Sequence, residues 1–231
     1  MQAIQPAYGL IFDVDGVIAD TEGANARASI AMFAEVFGLT GVVREDFEAG
    51  LGRGAAAYVR AAAERHGLEL TDEQVERATA RRQENFLALL EREPLGPFPG
   101  VLELMSAALD AEDFAVAIAT SGTRAKSEAV LKSARVPYER MTCVTGSDVI
   151  RKKPAPDLFE TAARRCGLPP SRCAVIEDAP DGIEAARAAG AACIAVTNST
   201  TAERLARADR IAASLAEVSL DEIRALIDAR R

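Results

Sequence analysis

Four short apolar runs, Phe114 to Ala119, Met141 to Val144, Cys173 to Ile176 and Ala192 to Val196, punctuate the second half of the chain, and segments of helical periodicity separate them. Runs of strand length that are apolar throughout, alternating with helices, require a parallel sheet covered by helices on both faces. A fifth run, Leu10-Ile-Phe12, stands alone near the N-terminus. The stretch after it offers no strand to pair with, so this run must join the sheet that begins at Phe114.

That intervening stretch is all helix and loop. Ile30, Phe33, Ala34 and Phe37 keep one helical face up to Gly38, and Ala55 to His66 forms a second helix closed by Gly67. Thr71-Asp-Glu-Gln74 is a capping box that opens a long helix through Phe86, Leu89 and Leu90. Pro94-Leu-Gly-Pro-Phe-Pro-Gly100 holds three prolines and two glycines, too many for the interior of an element, and marks a boundary. The expected organisation is therefore an α/β domain of residues 1–20 and 98–231, with a Rossmann-like parallel sheet, interrupted by an inserted helical domain of residues 21–97. Gly167 and Gly190 should end two core helices, and Ser219-Leu-Asp-Glu222 should open the last with another capping box.

Charge excludes some partners. The 231 residues carry 27 basic and 35 acidic side chains, a net charge of −8, without a basic run that could track a phosphate backbone, so nucleic acid is not an expected partner. No stretch approaches a membrane span, and the N-terminus lacks the basic start and apolar core of a signal peptide. Cys143, Cys166, Cys173 and Cys193 are widely spaced and form no C-x-x-C pair, which suits buried or half-buried thiols in a reducing cytoplasm. Without a long heptad seam, a monomer is expected.

The ends of the apolar runs carry the chemistry. The first stops at Asp13-Val-Asp15-Gly16, with Val17 and Ile18 expected as a second short extended piece. The second stops at Thr120-Ser121-Gly122, and the third is followed by Lys152-Lys153-Pro-Ala-Pro156, with a helix starting near Asp157. The fourth stops at Glu177-Asp178. Taken singly, each also suits an exposed turn or a solvated side chain. Together, at the carboxyl ends of strands in one parallel sheet, they sit where such sheets bind ligands. They supply carboxylates for a divalent cation, a hydroxyl, glycine-flanked amides and a lysine, which are the parts needed for phosphoryl transfer.

A carboxylate attacking a phosphomonoester dianion meets like-charge repulsion of about 4 kcal/mol per charge pair at about 4 Å and an effective dielectric of about 20. Mg²⁺ held by Asp13, Glu177 and Asp178, with Lys153 opposite, would offset it. Oxygen ligands without a histidine cluster favour Mg²⁺ over zinc.

In combination and in this order, Asp13-Val-Asp15-Gly, Ser121, Lys153-Pro and Glu177-Asp178-Ala-Pro-Asp-Gly-Ile183 resemble the four motifs of the haloacid dehalogenase superfamily, over almost the whole chain. Lys-Pro-Ala-Pro-Asp-Leu-Phe and Glu-Asp-Ala-Pro-Asp-Gly-Ile look most like its β-phosphoglucomutase-like branch. The resemblance implies that Asp13 is a nucleophile forming an aspartyl-phosphate. It implies that Asp15 protonates the leaving oxygen, later activates water, and lends its backbone carbonyl to the metal. Ser121 and the Gly122 amide would hold phosphoryl oxygens, and Lys153 would steady the charge on nucleophile and phosphate. The helical insert would be a cap that excludes water. Gly50-Leu-Gly-Arg53-Gly matches the branch's cap loop, so Arg53 is the candidate specificity residue. The implied substrate is a small phosphorylated metabolite.

Within the family, the presence of Asp15 counts against dehalogenation, and the absence of lysine between Thr21 and Gly100 counts against phosphonate hydrolysis. Sugar-phosphate mutases place a histidine where this chain has Asn25, which favours hydrolysis over the mutase alternative. His66, the one histidine, is expected to hold a surface position at a helix end. A catalytically silent phospho-ligand-binding module is the reading from another class. It leaves the paired Asp13 and Asp15 without a purpose, since binding alone needs no acid or base.

Overall fold

A computed structural model describes residues 6–50 and 54–230, which form two compact units, one made by the described chain up to Asp20 and from Leu95 onward, the other by the described residues between Thr21 and Pro94. In the first unit, strands β1 (Tyr8–Phe12), β2 (Phe114–Ala119), β3 (Thr142–Val144), β4 (Cys173–Glu177), β5 (Ala192–Val196) and β6 (Arg210–Ala212) build one sheet in the order β3-β2-β1-β4-β5-β6. All its neighbouring strands are parallel.

Successive side chains on a strand point to opposite faces. Ile11, Ala117, Ala119, Cys173, Val175, Cys193 and Ala195 form one buried face, which packs on α6 (Asp157–Arg165) and α7 (Pro180–Ala189) through Leu158, Phe159, Ile183 and Ala186. The alternate residues Leu10, Phe12, Ile118, Ala174, Ile176 and Ile194 are buried as well. Helices α4 (Val101–Asp110) and α8 (Leu220–Asp228) contact each other and lie against β2 and β4 respectively. Burial on both faces is why these strands are continuous apolar runs rather than alternating ones.

The strand order reverses at β1. The chain steps outward through β2 and β3, then returns to place β4 on the other side of β1, so a crevice opens beyond the carboxyl ends of β1 and β4. Phe12 pairs with Ile176, and the Asp13 N–H donates to the Ile176 carbonyl at 3.1 Å, which puts Asp13 beside Glu177.

The second unit holds α1 (Thr21–Phe37), a 3₁₀ turn over Arg44–Gly50, α2 (Ala55–Arg65) and α3 (Asp72–Arg92). Its core gathers Met32, Phe33, Phe47, Val59, Ala62 and Ala78, with the Phe47 and Tyr58 rings stacked at 4.5 Å. The Thr71–Gln74 capping box forms in both directions, at 3.2 and 2.9 Å.

Three local expectations need correction. Val17 and Ile18 do not extend a strand. They fold into a turn closed by Ile18 N–H to Val14 carbonyl and Gly16 N–H to Ala19 carbonyl bonds, because both side chains are wholly buried. The box at Ser219 is half made: its hydroxyl accepts the Glu222 N–H, while the Glu222 carboxylate is taken by Arg210 at 2.8 Å. His66 does end α2, but its Nε2 sits 2.7 Å from the buried Asp46 carboxylate, so this partly exposed ring also ties the 3₁₀ turn to α2. Strand β6 and helix α5 (Arg124–Ser133) were not foreseen.

Candidate active site

Asp13 is the first residue past β1 and Glu177 the last of β4, and with Asp178 they bury three carboxylates whose nearest oxygens lie within 4.8 Å of one another. Two glycines make room for them. A Cβ at Gly182, in the first turn of α7, would fall on the Glu177 carboxylate, and one at Gly16 would fall on Asp178 and Ser199. Gly16 also holds a φ of 76°, which costs glycine nothing. The glycines of the D-x-D-G and E-D-A-P-D-G stretches thus serve the acids beside them. Glu177 is fixed further by the N–H groups of Asp178 and Ala179, at 3.0 and 3.2 Å.

Lys153 reaches this cluster from the loop between β3 and α6. Its ammonium donates to Asp13 Oδ1 at 2.5 Å and to Glu177 Oε1, and it lies 5.1 Å from the centre of the Phe159 ring. Burial of the ammonium works to lower its pKa, but the adjacent Asp13 and Glu177 charges outweigh this and hold it above the ordinary lysine value. Burial pushes Asp13 up to about 7, assisted by the charges of Glu177 and Asp15 and opposed by Lys153. Burial, followed by Glu177 and Asp13, also raises Asp178 well above the ordinary carboxylate range, against a hydrogen bond from Ser199.

Asp15 lies at the rim of the site, its side chain 37% exposed, and its Oδ1 accepts from Lys126 Nζ at 2.8 Å. The bare Cα of Gly122 is close by, since a Cβ there would come within 3.9 Å of Asp15 Oδ2. Ser121 follows β2 at the same edge of the sheet. The Gly122 amide is turned inward, donating to Thr120 Oγ1 at 3.1 Å, because Thr120 is buried and its hydroxyl closes the turn. In this conformation that amide does not face a ligand, contrary to the sequence expectation. Arg53 lies outside the described residues.

Three contributors were not anticipated. Lys126 sits in the first turn of α5, where a cation opposes the helix dipole; that misplacement was the available signal. Asn198 and Ser199 follow β5, and this fifth strand end is as polar as the others. Asn198 Nδ2 donates to the Gly16 carbonyl at 2.9 Å, holding the turn after Asp15, and Ser199 holds Asp178.

The donor set fits a hard divalent cation. Among the described residues, four carboxylates, Asp13, Asp15, Glu177 and Asp178, stand with two lysines, Lys126 and Lys153, so acidic groups outnumber basic ones by two in this cluster. Burial first, and then the neighbouring carboxylates, raise the pKa values of Asp13 and Asp178, and an oxygen-only ligand set suits Mg²⁺.

A profile of haloacid dehalogenase-like hydrolases matches residues 9–190. The chain belongs to this family. It is an enzyme of the hydrolase type, with the family's α/β fold. It is 32% identical to fructose-1-phosphate phosphatase YqaB of Escherichia coli, over 79% of this chain and 92% of that protein. It is 35% identical to the chloroplastic protein SUPPRESSOR OF QUENCHING 1 of Arabidopsis thaliana, over 81% of this chain but only 17% of that much longer protein. The crystal structure of CbbY from Rhodobacter sphaeroides with xylulose-(1,5)bisphosphate superposes with a TM-score of 0.82 at 28% identity, covering 94% of this chain and 99% of that one. Among the described residues, no helix is long and apolar enough to cross a membrane.

Proposed function

We propose that this hydrolase is a Mg²⁺-dependent phosphatase that removes phosphate from a small phosphorylated metabolite, a sugar phosphate or a close analogue, through an aspartyl-phosphate on Asp13. The observation that carries the reading is the junction of β1 and β4, where Asp13 meets Lys153 at 2.5 Å inside a buried trio of carboxylates, with Asp15 two residues on. Relatives that act on fructose 1-phosphate and bind xylulose 1,5-bisphosphate support the substrate class.

In this reading the Asp13 carboxylate attacks phosphorus and the bond from phosphorus to the ester oxygen breaks. Asp15 gives its proton to the departing alkoxide. A water then attacks the aspartyl-phosphate, Asp15 takes back a proton, and inorganic phosphate leaves with Asp13 regenerated. Lys153 holds Asp13 in place and offsets charge on the phosphoryl oxygens, which Ser121 helps to bind. Asp13, Glu177 and Asp178, with the Asp15 carbonyl, would hold Mg²⁺, which when bound neutralises phosphate charge and keeps Asp13 ionised. Arg53 is the proposed substrate contact from the helical unit.

The mutase alternative is weaker. Asn25 occupies the position where the mutases carry a histidine; its Oδ1 accepts from Arg82 at 2.9 Å, and an amide cannot relay a proton. Four unpaired thiols, two of them buried, accord with a reducing compartment such as the cytoplasm.

The test is phosphate release from a panel of sugar and polyol phosphates by wild type and Asp13→Asn, with Mg²⁺ and with chelator. Release that needs both Mg²⁺ and Asp13 is expected. Equal activity of the two proteins removes the nucleophile, and isomerised sugar phosphate with little free phosphate in the presence of a sugar 1,6-bisphosphate replaces the phosphatase by the mutase.

A further inference from the structure

We infer that Asn198 and Ser199 are positioning residues for the cation site: Ser199 holds the Asp178 carboxylate, Asn198 holds the peptide after Gly16, and together they set how tightly the protein binds Mg²⁺. The inference rests on the Mg²⁺-dependent reading of the site and adds to it the end of a strand, β5, that supplies no ligand of its own.

The path of the chain points to this role. Strand β6 lies on the far side of β5 from β4, and Thr197 already pairs in that direction, its N–H donating to the Ala212 carbonyl at 3.2 Å. The next residue turns back. Asn198 Nδ2 reaches the Gly16 carbonyl at 2.9 Å, on the turn that follows β1, and β4 stands between β1 and β5. Neighbouring strands are about 4.8 Å apart, so this bond takes the segment across the carboxyl end of β4, where Glu177 and Asp178 stand. The connection to β6 requires no such excursion.

Ser199 completes the anchoring of the three buried acids. Asp13 and Glu177 both accept from the Lys153 ammonium, and Glu177 accepts two backbone N–H groups as well. Among the described residues, the one side-chain donor to the Asp178 carboxylate is the Ser199 hydroxyl. A Cβ at Gly16 would lie 1.9 Å from Asp178 Oδ2 and 2.4 Å from Ser199 Oγ, so hydroxyl and carboxylate share the small space that the bare Cα leaves. Repulsion from Asp13 and Glu177 favours turning Asp178 outward, and the hydroxyl opposes that.

Asn198 acts on the backbone. The N–H of the Asp15–Gly16 peptide donates to the Ala19 carbonyl at 3.2 Å, and a trans peptide points its C=O opposite to its N–H, so the Asp15 carbonyl is turned away from Ala19. The following peptide is held through the Gly16 carbonyl by Asn198. Both peptides flanking Gly16 are thereby fixed, at a residue whose φ of 76° and missing Cβ leave the backbone easy to turn. The Asp15 carbonyl and the Asp178 carboxylate are the two cation ligands that Lys153 does not hold, and the end of β5 steadies both.

The alternative is that the two side chains only brace the loop, in which case their loss lowers stability and leaves the affinity for the ion unchanged. The experiment titrates Mg²⁺ calorimetrically into chelator-stripped wild type and variants, and melts each protein in chelator. Ser199→Ala and Asn198→Ala should each weaken Mg²⁺ binding by about 10- to 100-fold, the usual effect of losing a group that orients a ligand, while melting close to wild type in chelator. Ser199→Thr keeps the hydroxyl and should bind Mg²⁺ like the wild type. Ser199→Cys keeps the shape with a weaker donor and should fall between, which gives a reading even where Ser199→Ala fails to fold. Wild-type affinity in the alanine variants overturns the inference, whatever their melting temperatures. Equal losses in Ser199→Thr and Ser199→Ala overturn it as well, because the hydroxyl would then not be the cause. A wild-type protein that takes up no Mg²⁺ overturns the Mg²⁺-dependent reading itself, and the inference with it.

Discussion

Glu177 rests its carboxylate against the Cα of Gly182, in the space that a Cβ at position 182 would fill. Alanine in a helix is ordinarily more stable than glycine by about 1 kcal/mol. Gly182→Ala should nevertheless damage the site, because the new methyl displaces Glu177 from Lys153 and from its neighbours Asp13 and Asp178. Groups that position metal ligands typically change metal affinity by about 10- to 100-fold. The expected outcome is a rise of about that size in the Mg²⁺ concentration giving half-maximal phosphate release, with kcat at saturating Mg²⁺ much less affected. Titration of activity against Mg²⁺ checks it; an unshifted midpoint would show that Glu177 adapts without leaving the site.

Lys153 is the buried counter-charge of the cluster, its side chain 12% exposed against 7% for Asp13 and 1% for Glu177. Removing one partner of a buried ion pair costs about 3–5 kcal/mol, since the charges left behind are uncompensated. Lys153→Met should therefore melt well below wild type in chelator, recover a large part of the loss in millimolar Mg²⁺, and release phosphate at least about a hundredfold more slowly. Thermal denaturation with and without Mg²⁺ measures the first two. A variant whose stability ignores Mg²⁺ would contradict cation binding at these carboxylates.

The helical unit has its own buried acid. Asp46 accepts the Val43 N–H at 2.9 Å and lies 2.7 Å from His66 Nε2 and 3.1 Å from Arg65 Nε. The bond from Val43, followed by that from His66, holds its pKa below the ordinary value. Asp46→Ala leaves the Val43 amide and the imidazole without their acceptor and should cost about 1–3 kcal/mol. A urea midpoint lowered accordingly is the expected result; an unchanged midpoint would mean that water replaces the carboxylate at no cost.

What was legible in the sequence is what local chemistry encodes. Thr71 and Gln74 satisfy each other within four residues, so their box could be read directly, and β1 and β4 announced themselves because burial on both faces leaves a purely apolar run ending in acids. The partners of Lys126 and His66 were illegible because they depend on tertiary placement: Asp15 is 111 residues from Lys126, and Asp46 is 20 from His66. Strand β6 has three residues and begins with Arg210, whose side chain goes to Glu222, so it shows neither length nor alternation. The same arginine undid the second capping box. The Gly122 amide misled for a related reason. A glycine after a strand can offer its N–H to a ligand, but here the hydroxyl of Thr120, two residues back, takes it.

Asp148 gives the fold a defined acid sensitivity. It follows β3, and its carboxylate accepts the Thr145 N–H and hydroxyl at 2.9 and 2.7 Å, Arg124 at 3.0 Å and Arg165 at 3.0 Å, joining the loop that leads to Lys153 with α5 and α6. Burial alone would raise its pKa, but the Thr145 hydrogen bonds, Arg165 and Arg124 together lower it from 3.8 to about 2. The unfolded chain therefore binds the proton at higher pH than the folded one. The contribution of this carboxylate is complete above about pH 4 and disappears as the pH falls towards about 2, and a shift of this size corresponds to about 2 kcal/mol. Asp148→Asn keeps the shape and removes the charge. The wild type should exceed it in unfolding free energy by about 2 kcal/mol at pH 6, and the two should converge near pH 2. Urea denaturation of both proteins across that range tests the slope, and a difference that stays constant with pH would show that Asp148 acts through shape and hydrogen bonding without its charge.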